Sequence, residues 1–129
     1  EVGLDVDYLI PQPDDEGFAF QYGVNTIGVV HGHQAARPAG VTKWWSDASF
    51  GNQWASAVDV LISAHFHHLA LEELGQRNDS QGSKFWVQCP TSDASSDWFR
   101  RKSGTDSTTG ILTIELDKHS PFSGSVTKH

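Results

Sequence analysis

Two apolar runs with the composition of buried strands constrain the fold more than any other feature of the sequence. They are "NTIGVV" (25–30) and "VDVLIS" (58–63), nearly continuous in apolar and β-branched residues. Such runs are typical of strands covered on both faces, as in parallel sheets. The connecting segment carries aromatic residues spaced for one or two helical turns packed on a core, namely Trp44, Trp45, Phe50 and Trp54. Strand, crossover helix and strand predict a parallel βαβ unit.

Each apolar run is followed by a His-x-His sequence. His31 and His33 follow the first run, and His65 and His67 follow the second, with His68 next in the chain. The carboxyl ends of adjacent parallel strands lie at the same edge of a sheet, so these two loops should converge. Neutral imidazole is the commonest transition-metal ligand, and the pattern predicts a metal site. The alternative is that surface histidines such as His33 and His68 are simply solvated.

Carboxylates are missing from the neighbourhood of both histidine pairs in the sequence. Asp59 lies six residues before His65, at the opposite end of the same run. Histidines alone would form a nitrogen-rich site, whereas phosphoryl chemistry also needs hard oxygen ligands. The ligand set therefore reads as incomplete.

The remainder of the chain predicts short strands and hairpins. "DVDYLI" and "FAFQYG" have strand character upstream, and "HLALEEL" and "KFWVQCP" flank a polar turn segment. "GILTIELD" alternates apolar and polar residues, and "GSVTKH" is expected to pair with it. The sequence predicts an α/β fold in one domain, 1–129, built as a βαβ unit followed by an antiparallel meander.

Composition narrows the class of protein. The net charge of −7 argues against a surface built for indiscriminate nucleic-acid binding. There is no apolar run of membrane-spanning length and no signal-peptide pattern, so no membrane partner is expected. The single cysteine, Cys89, excludes an internal disulfide and fits a reducing compartment. We expect a cytoplasmic protein, or one of the host cytoplasm if it is phage-encoded.

The histidine motifs resemble the C-terminal half of the calcineurin-like metallophosphoesterases, which include Mre11-type nucleases and bacterial cyclic-nucleotide phosphodiesterases. "IGVVHGHQ" resembles the family's apolar strand ending in His, and "VLISAHFHH" its strand ending in Gly-His-x-His, with Ala64 in place of Gly. The polar segment from "KFWVQCPTSDASSDWFRR" to "GILTIELD" is similar to the tail of phage-encoded members. The resemblance runs from about Asp5 to Val126 and implies the C-terminal half of an αββα sandwich.

The resemblance also implies a ligand set and a reaction. His31 and His65 would bind one metal of a dinuclear pair, and His67 would bind the other. The implied cofactors are two divalent cations, with manganese as first choice and iron, zinc or nickel as alternatives. The implied activity is two-metal phosphoester hydrolysis of the phosphodiesterase or nuclease type, on a phosphoester substrate such as a nucleic acid or nucleotide.

Four further side chains are candidates for contacts with the reacting groups. His33 and His68 match no fixed ligand of the family, and we assign His33 as a catalytic candidate and His68 as a substrate contact. Arg100 and Arg101 are candidate contacts for a phosphate or a base. For their segment, "DWFRRK", we favour the alternative interpretation of an ordinary solvated loop.

The departures from the family concern its early motifs. Asp-x-His, Gly-Asp and Gly-Asn-His-Asp do not precede the histidine pairs, so the bridging Asp, an Asn ligand and the histidine that assists the leaving group are lacking. The resemblance thus implies the C-terminal part of a larger enzyme, inactive alone, an interpretation that the lack of methionine also favours. Strands apolar on both faces would then leave a sheet edge and a broad apolar face uncovered. We expect self-association or binding to the N-terminal half.

Three other interpretations stay open. They are a non-catalytic binding scaffold with a phosphoesterase fold, a structural fragment without activity, and a cupin-like metal-binding jelly roll. Glu72 follows the second histidine pair at an offset that suits a cupin, but the second cupin motif is missing. The aromatic crossover segment is also wrong for an all-β barrel.

Overall fold

The computed structural model describes residues 8–10, 17–33, 35–51, 53–90 and 109–129. In chain order its elements are β1 (Tyr8–Ile10), β2 (Gly17–Tyr22), β3 (Asn25–Val30), α1 (Gly40–Gly51), α2 (Gln53–Ala57), β4 (Val60–Ser63), β5 (Ala70–Gln76), β6 (Ser83–Gln88), β7 (Leu112–Ile114) and β8 (Val126–Lys128). The predicted α/β fold is confirmed.

The central βαβ unit forms as the apolar runs predict. Strands β3 and β4 pair in parallel, with Ile27 opposite Val60 and Val29 opposite Ile62. Helices α1 and α2 make the crossover, and α1 alone has 12 residues, more than the predicted one or two turns. Both strands therefore run in the same direction and end at the same edge of the sheet.

The second half of the chain is antiparallel in part and adds a further parallel strand. The six-stranded sheet has the order β1-β2-β3-β4-β6-β5. Strands β5 and β6 form the predicted hairpin. Strand β6 lies between β5 and β4 in the sheet and pairs in parallel with β4. Three adjacent parallel strands thus end at one edge, an arrangement that the antiparallel jelly roll of a cupin does not have.

Both faces of the central strands are covered. On one face, Val41 and Trp45 of α1 and Ala55 of α2 pack with Leu61 and Trp86 of the sheet. Full burial of an aliphatic side chain such as that of Val41 or Leu61 contributes about 1.5–3 kcal/mol.

The opposite face is covered by the antiparallel pair β7–β8, which forms as predicted. Ile27, Val60 and Val87 are at most 1% exposed and pack with Phe122. The broad apolar face that we expected beside these strands is therefore not exposed in the described part of the chain. The reason is that the chain's own C-terminal hairpin takes that place.

The aromatic side chains of the crossover differ in burial. Trp45 is buried and its Nε1–H donates to the carbonyl of Ala55 at 2.9 Å. Trp44 packs on the same core, but Phe50 is 91% exposed, so the prediction that it packs inward is wrong. The helix directs Phe50 to solvent because its position is out of phase with the buried stripe of Val41 and Trp45.

Within the described residues, no helix has the length and hydropathy to cross a membrane.

Candidate metal centre

The two histidine loops converge at the carboxyl edge of the sheet. His31 directly follows β3, and His65 comes two residues after the last residue of β4. The loops are joined by a backbone hydrogen bond from Ala64 N–H to the carbonyl of His31, at 2.9 Å. The imidazole centroids of His31 and His65 are 4.8 Å apart. The predicted juxtaposition of the two strand ends is confirmed, while the role of these side chains as ligands stays a prediction.

His33 joins the same group. Its Nδ1 atom is 3.3 Å from Nδ1 of His31, and both rings are exposed. Gly32 between them has a φ of +108°, in a region that favours glycine. A Cβ atom at this position would lie 2.9 Å from the carbonyl oxygen of Ala64 and 3.3 Å from Cβ of His65. Glycine at this position therefore allows the backbones of the two histidine loops to come into contact. The sequence analysis did not predict this role, although Gly32 is visible in "HGH".

The second histidine loop carries backbone strain. His65 and His67 have φ angles of 68° and 62°, in the left-handed region that non-glycine residues rarely adopt. Each such residue costs about 1–3 kcal/mol and persists only where its surroundings hold it. Phe66 between them packs on the core that the helices cover, and thereby anchors the loop. Strain of this kind clusters at functional sites.

The family's usual Gly is not needed at position 64. Ala64 is not among the described non-glycine residues with a positive φ. The left-handed conformations fall on His65 and His67 instead. The substitution of Ala for Gly is therefore compatible with the observed loop.

Gln88, at the carboxyl end of β6, supports this loop from below. It is fully buried, and its Nε2–H donates to the carbonyl of His68 at 2.9 Å. Its Oε1 atom is buried and has no hydrogen-bond partner among the described residues. His68 is exposed, and its Nδ1 lies 3.0 Å from the carbonyl of Phe66, so this nitrogen carries the proton. No local sequence signal identifies Gln88, because its place beside His68 depends on the register of the β5–β6 hairpin, in which Ala70 pairs with Gln88.

The surroundings of His65 favour the neutral form of its imidazole. Partial loss of hydration lowers the pKa of His65, and repulsion from three neighbouring imidazoles lowers it further, those of His31, His67 and His33. The neutral form is the one that binds a metal ion.

The donor set fits one part of a metal site. The described residues include no set of three His, Cys, Asp or Glu side chains already arranged to hold a metal ion. The side chains that do converge offer imidazole nitrogen, which suits zinc, copper, iron and nickel. Further ligands would have to come from water, from small movements of the loops or from another segment.

The other predicted contacts and the carboxylates lie elsewhere. Arg100 and Arg101 are outside the described residues. Asp59 precedes β4 and lies at the opposite end of the sheet from His65, as its sequence position predicts. The Asp-x-His sequence at 117–119 is also remote from the histidines, because the carbonyl of Asp117 accepts a hydrogen bond from Asn25 at the start of β3.

Comparison with known proteins supports the fold. No family model matches the sequence, and no curated protein matches it. The chain is similar to wild-type Vps29 from Entamoeba histolytica in complex with Zn²⁺, with 18% identity, a TM-score of 0.55, and coverage of 88% of this chain and 58% of that chain. A single mutant of the same protein gives 15% identity, a TM-score of 0.56 and coverage of 93% and 64%.

This chain thus spans less than two thirds of the length of either Vps29 chain. Vps29 has a calcineurin-like metallophosphoesterase fold. The chain has a mixed α/β structure consistent with part of that fold.

Proposed function

We propose that this chain is a metal-binding module with a metallophosphoesterase fold, and that its cation lies at the histidines following β3 and β4. The observation that carries the proposal is the 4.8 Å separation of the His31 and His65 rings at the ends of adjacent parallel strands. One exposed and one half-buried imidazole so close together, on loops held by a glycine contact and a strained backbone, are poorly explained as solvated surface side chains. The Zn²⁺ bound to a similar structure is consistent with this proposal.

We further propose that His31 and His65 contribute to one cation and His67 to a second, in a dinuclear centre. Two divalent cations would neutralise the charge that develops on a phosphoryl group. The chain's own residues would fix the imidazoles: Phe66 anchors the second loop and Gln88 holds the carbonyl of His68. The corresponding activity is phosphoester hydrolysis, on a phosphodiester such as a nucleic acid or nucleotide, with His68 as a substrate contact.

Carboxylate ligands for such a centre have to be supplied from outside the described residues. The N-terminal half of a longer enzyme is the first candidate and a second copy of the chain is the other. Strand β5 is an outer strand of the sheet, and its Leu71 is 45% exposed, beside Leu69 at 41%. An unpaired edge of this kind is a site for strand addition. The neighbouring side chains of Glu72 and Glu73 are exposed. Their negative charges would repel a partner strand that carries carboxylates opposite them.

A non-catalytic scaffold is the second candidate function. It is favoured by the finding that no three ligand side chains are arranged around one point in the described ranges. In that case the histidines would bind a structural cation or none, and the fold would serve as a binding surface.

Calorimetric titration of the chain with Zn²⁺ and with Mn²⁺ tests metal binding. We expect stoichiometric Zn²⁺ binding that is lost in His65→Ala. His119→Ala is the matched control, because His119 is exposed and lies beside Asp117, far from the cluster. Failure of the wild-type chain to bind either ion would contradict the proposal.

Hydrolysis of bis-p-nitrophenyl phosphate separates the two candidate functions. The isolated chain should show no appreciable turnover with added Mn²⁺, because the described part of the chain brings no carboxylate to the histidines. Addition of the polypeptide encoded immediately upstream should restore turnover if the chain is half of an enzyme, and not if it is a scaffold. Robust turnover by the isolated chain, abolished in His65→Ala, would show that it is a complete enzyme.

A further inference from the structure

We propose that the His31–Gly32–His33 turn is itself a bidentate chelate in which Nδ1 of both imidazoles binds one transition-metal cation. This inference rests on the proposed function, since it places the cation at the same histidine cluster. It adds that His33 is a ligand, and that the turn selects a borderline transition metal such as Zn²⁺ over Mn²⁺.

The separation of the two nitrogens is the first argument. The Nδ1 atoms of His31 and His33 are 3.3 Å apart. Two imidazoles on one tetrahedral cation, with metal–nitrogen bonds of about 2.0–2.1 Å at an angle of about 109°, have their nitrogens about 3.3 Å apart. The turn thus already has the bite of a zinc chelate, and binding would need little rearrangement of these two rings.

The turn is also held in place by the neighbouring loop. Gly32 is buried at φ +108° against the carbonyl of Ala64, and the carbonyl of His31 accepts the hydrogen bond from Ala64 N–H. Because the backbone is held at His31 and Gly32, ordering the two rings costs less entropy than it would in a free loop. The His65 ring, centred 4.8 Å from that of His31, is near enough to add a third nitrogen after a small rotation.

A hydrogen bond between the rings is the competing explanation of the same contact. One Nδ1–H would then donate to the other Nδ1, but 3.3 Å exceeds the usual donor–acceptor distance of about 2.9–3.0 Å. Both rings are exposed, so a proton on Nδ1 has water as an alternative partner. The metal titration and the NMR experiment below decide between a shared cation and this long, exposed hydrogen bond.

The donor type decides the class of metal. Imidazole nitrogen suits Zn²⁺, Cu²⁺ and Ni²⁺, and affinity for a given nitrogen site rises from Mn²⁺ towards Cu²⁺. Mn²⁺ prefers carboxylate and water oxygen. Two nitrogens on one short turn should therefore bind Zn²⁺ in preference to Mn²⁺ before any carboxylate is supplied.

The test combines Zn²⁺ titration with imidazole NMR on the full chain. His33→Ala should lower Zn²⁺ affinity by at least about tenfold, because the loss of even outer contacts to metal ligands typically costs 10–100-fold. His119→Ala should leave the affinity unchanged. Long-range ¹H–¹⁵N spectra of the wild-type chain with Zn²⁺ should show metal-bound Nδ1 and protonated Nε2 on both His31 and His33. The same titration with Mn²⁺ should give weaker binding.

The outcomes separate this inference from the proposed function. If Zn²⁺ binds and His65→Ala abolishes binding while His33→Ala has no effect, the chelate is wrong and the proposed function stands. If Zn²⁺ shifts Nε2 rather than Nδ1 of His33, the chelate is also wrong. If the wild-type chain binds Mn²⁺ but no Zn²⁺, the chelate is wrong, and if it binds neither ion, both proposals fail.

Discussion

The two ends of the parallel strands are built in opposite ways. At the carboxyl end, the rings of His31 and His33 are exposed, and the backbone at His65 and His67 is strained. At the amino end, Arg77 is 4% exposed and is surrounded by hydrogen-bond acceptors. One end keeps polar groups accessible at a cost in backbone energy, whereas the other buries a charge and satisfies it.

The amino end is a network centred on Arg77. Its Nη2 lies 3.3 Å from the Asp59 carboxylate and also donates to the carbonyl of Val24. Its Nη1 donates to Asn25 Oδ1 at 2.9 Å, and a second ion pair with Asp79 lies at 3.0 Å.

Asn25 extends this network to the C-terminal hairpin. Its side-chain amide donates to the carbonyls of Asp117 and Ser120, and its Oδ1 accepts from Phe122 N–H. The network therefore links the starts of β3 and β4 to the hairpin that covers one face of the sheet.

The comparison separates an end of the sheet whose side chains stabilise the fold from an end whose side chains contribute little to stability. A buried, paired charge is expensive to disturb, because removing one partner leaves the other uncompensated. Exposed histidines contribute little to folding and are free to serve as ligands. Substitutions at the amino end should therefore cost more free energy of unfolding than substitutions of the exposed histidines.

Arg77→Ala should destabilise the protein most. It leaves the Asp59 carboxylate buried without its cation, and we expect a loss of about 3–5 kcal/mol in the free energy of unfolding. Urea denaturation measures it, with Arg37→Ala as the exposed control of the same residue type, expected to change stability by less than about 0.5 kcal/mol. If His31→Ala proves as destabilising as Arg77→Ala, the contrast between the two ends is wrong.

Gly32→Ala should have an intermediate effect and act at the carboxyl end. The new Cβ would meet the carbonyl of Ala64 at 2.9 Å with φ at +108°, so we expect a loss of about 1–3 kcal/mol and weaker Zn²⁺ binding. Gly75→Ala is the control, since no neighbouring atom of the described residues lies within 4 Å of a Cβ there. Thermal unfolding and Zn²⁺ titration of both variants provide the measurement. Equal behaviour of the two variants would mean that the glycine does not hold the loops together.

Asp59→Asn should have the smallest effect, seen in the pH dependence of stability. Burial raises the pKa of Asp59 above its ordinary value, although the hydrogen bond from Thr26 N–H and the charge of Arg77 act in the opposite direction. The folded protein therefore keeps this proton to higher pH than the unfolded chain. The resulting stabilisation is complete below the unfolded pKa and is lost as the pH rises through the folded pKa.

Relative to wild type, Asp59→Asn should gain stability as the pH rises through that range, because the amide never ionises. Urea unfolding at a series of pH values measures the difference. Asp47→Asn is the control, since Asp47 is exposed in an ion pair with Lys43, and its replacement should change stability by less than about 1 kcal/mol. A wild-type protein that gains stability over Asp59→Asn as the pH rises would show that the ion pair outweighs burial.

The elements of the fold were largely predictable from the sequence. Continuous apolar runs indicate strands buried on both faces, and the right spacing for a crossover makes them parallel. From this alone follows the convergence of His31 and His65, because parallel strands end at the same edge. Alternation likewise predicts the pairing of β7 with β8.

The tertiary structure decided the rest, because sequence periodicity reports whether a strand is buried but not which distant groups a polar side chain meets. Arg77 lies in the polar segment "GQRNDSQGS", which reads as a solvated turn, yet it donates to Asn25, 52 residues away. Gln88 reaches His68 through the register of the β5–β6 hairpin, which pairs Ala70 with Gln88. The sequence by itself determined that the histidines meet, and long-range packing determined what holds them there.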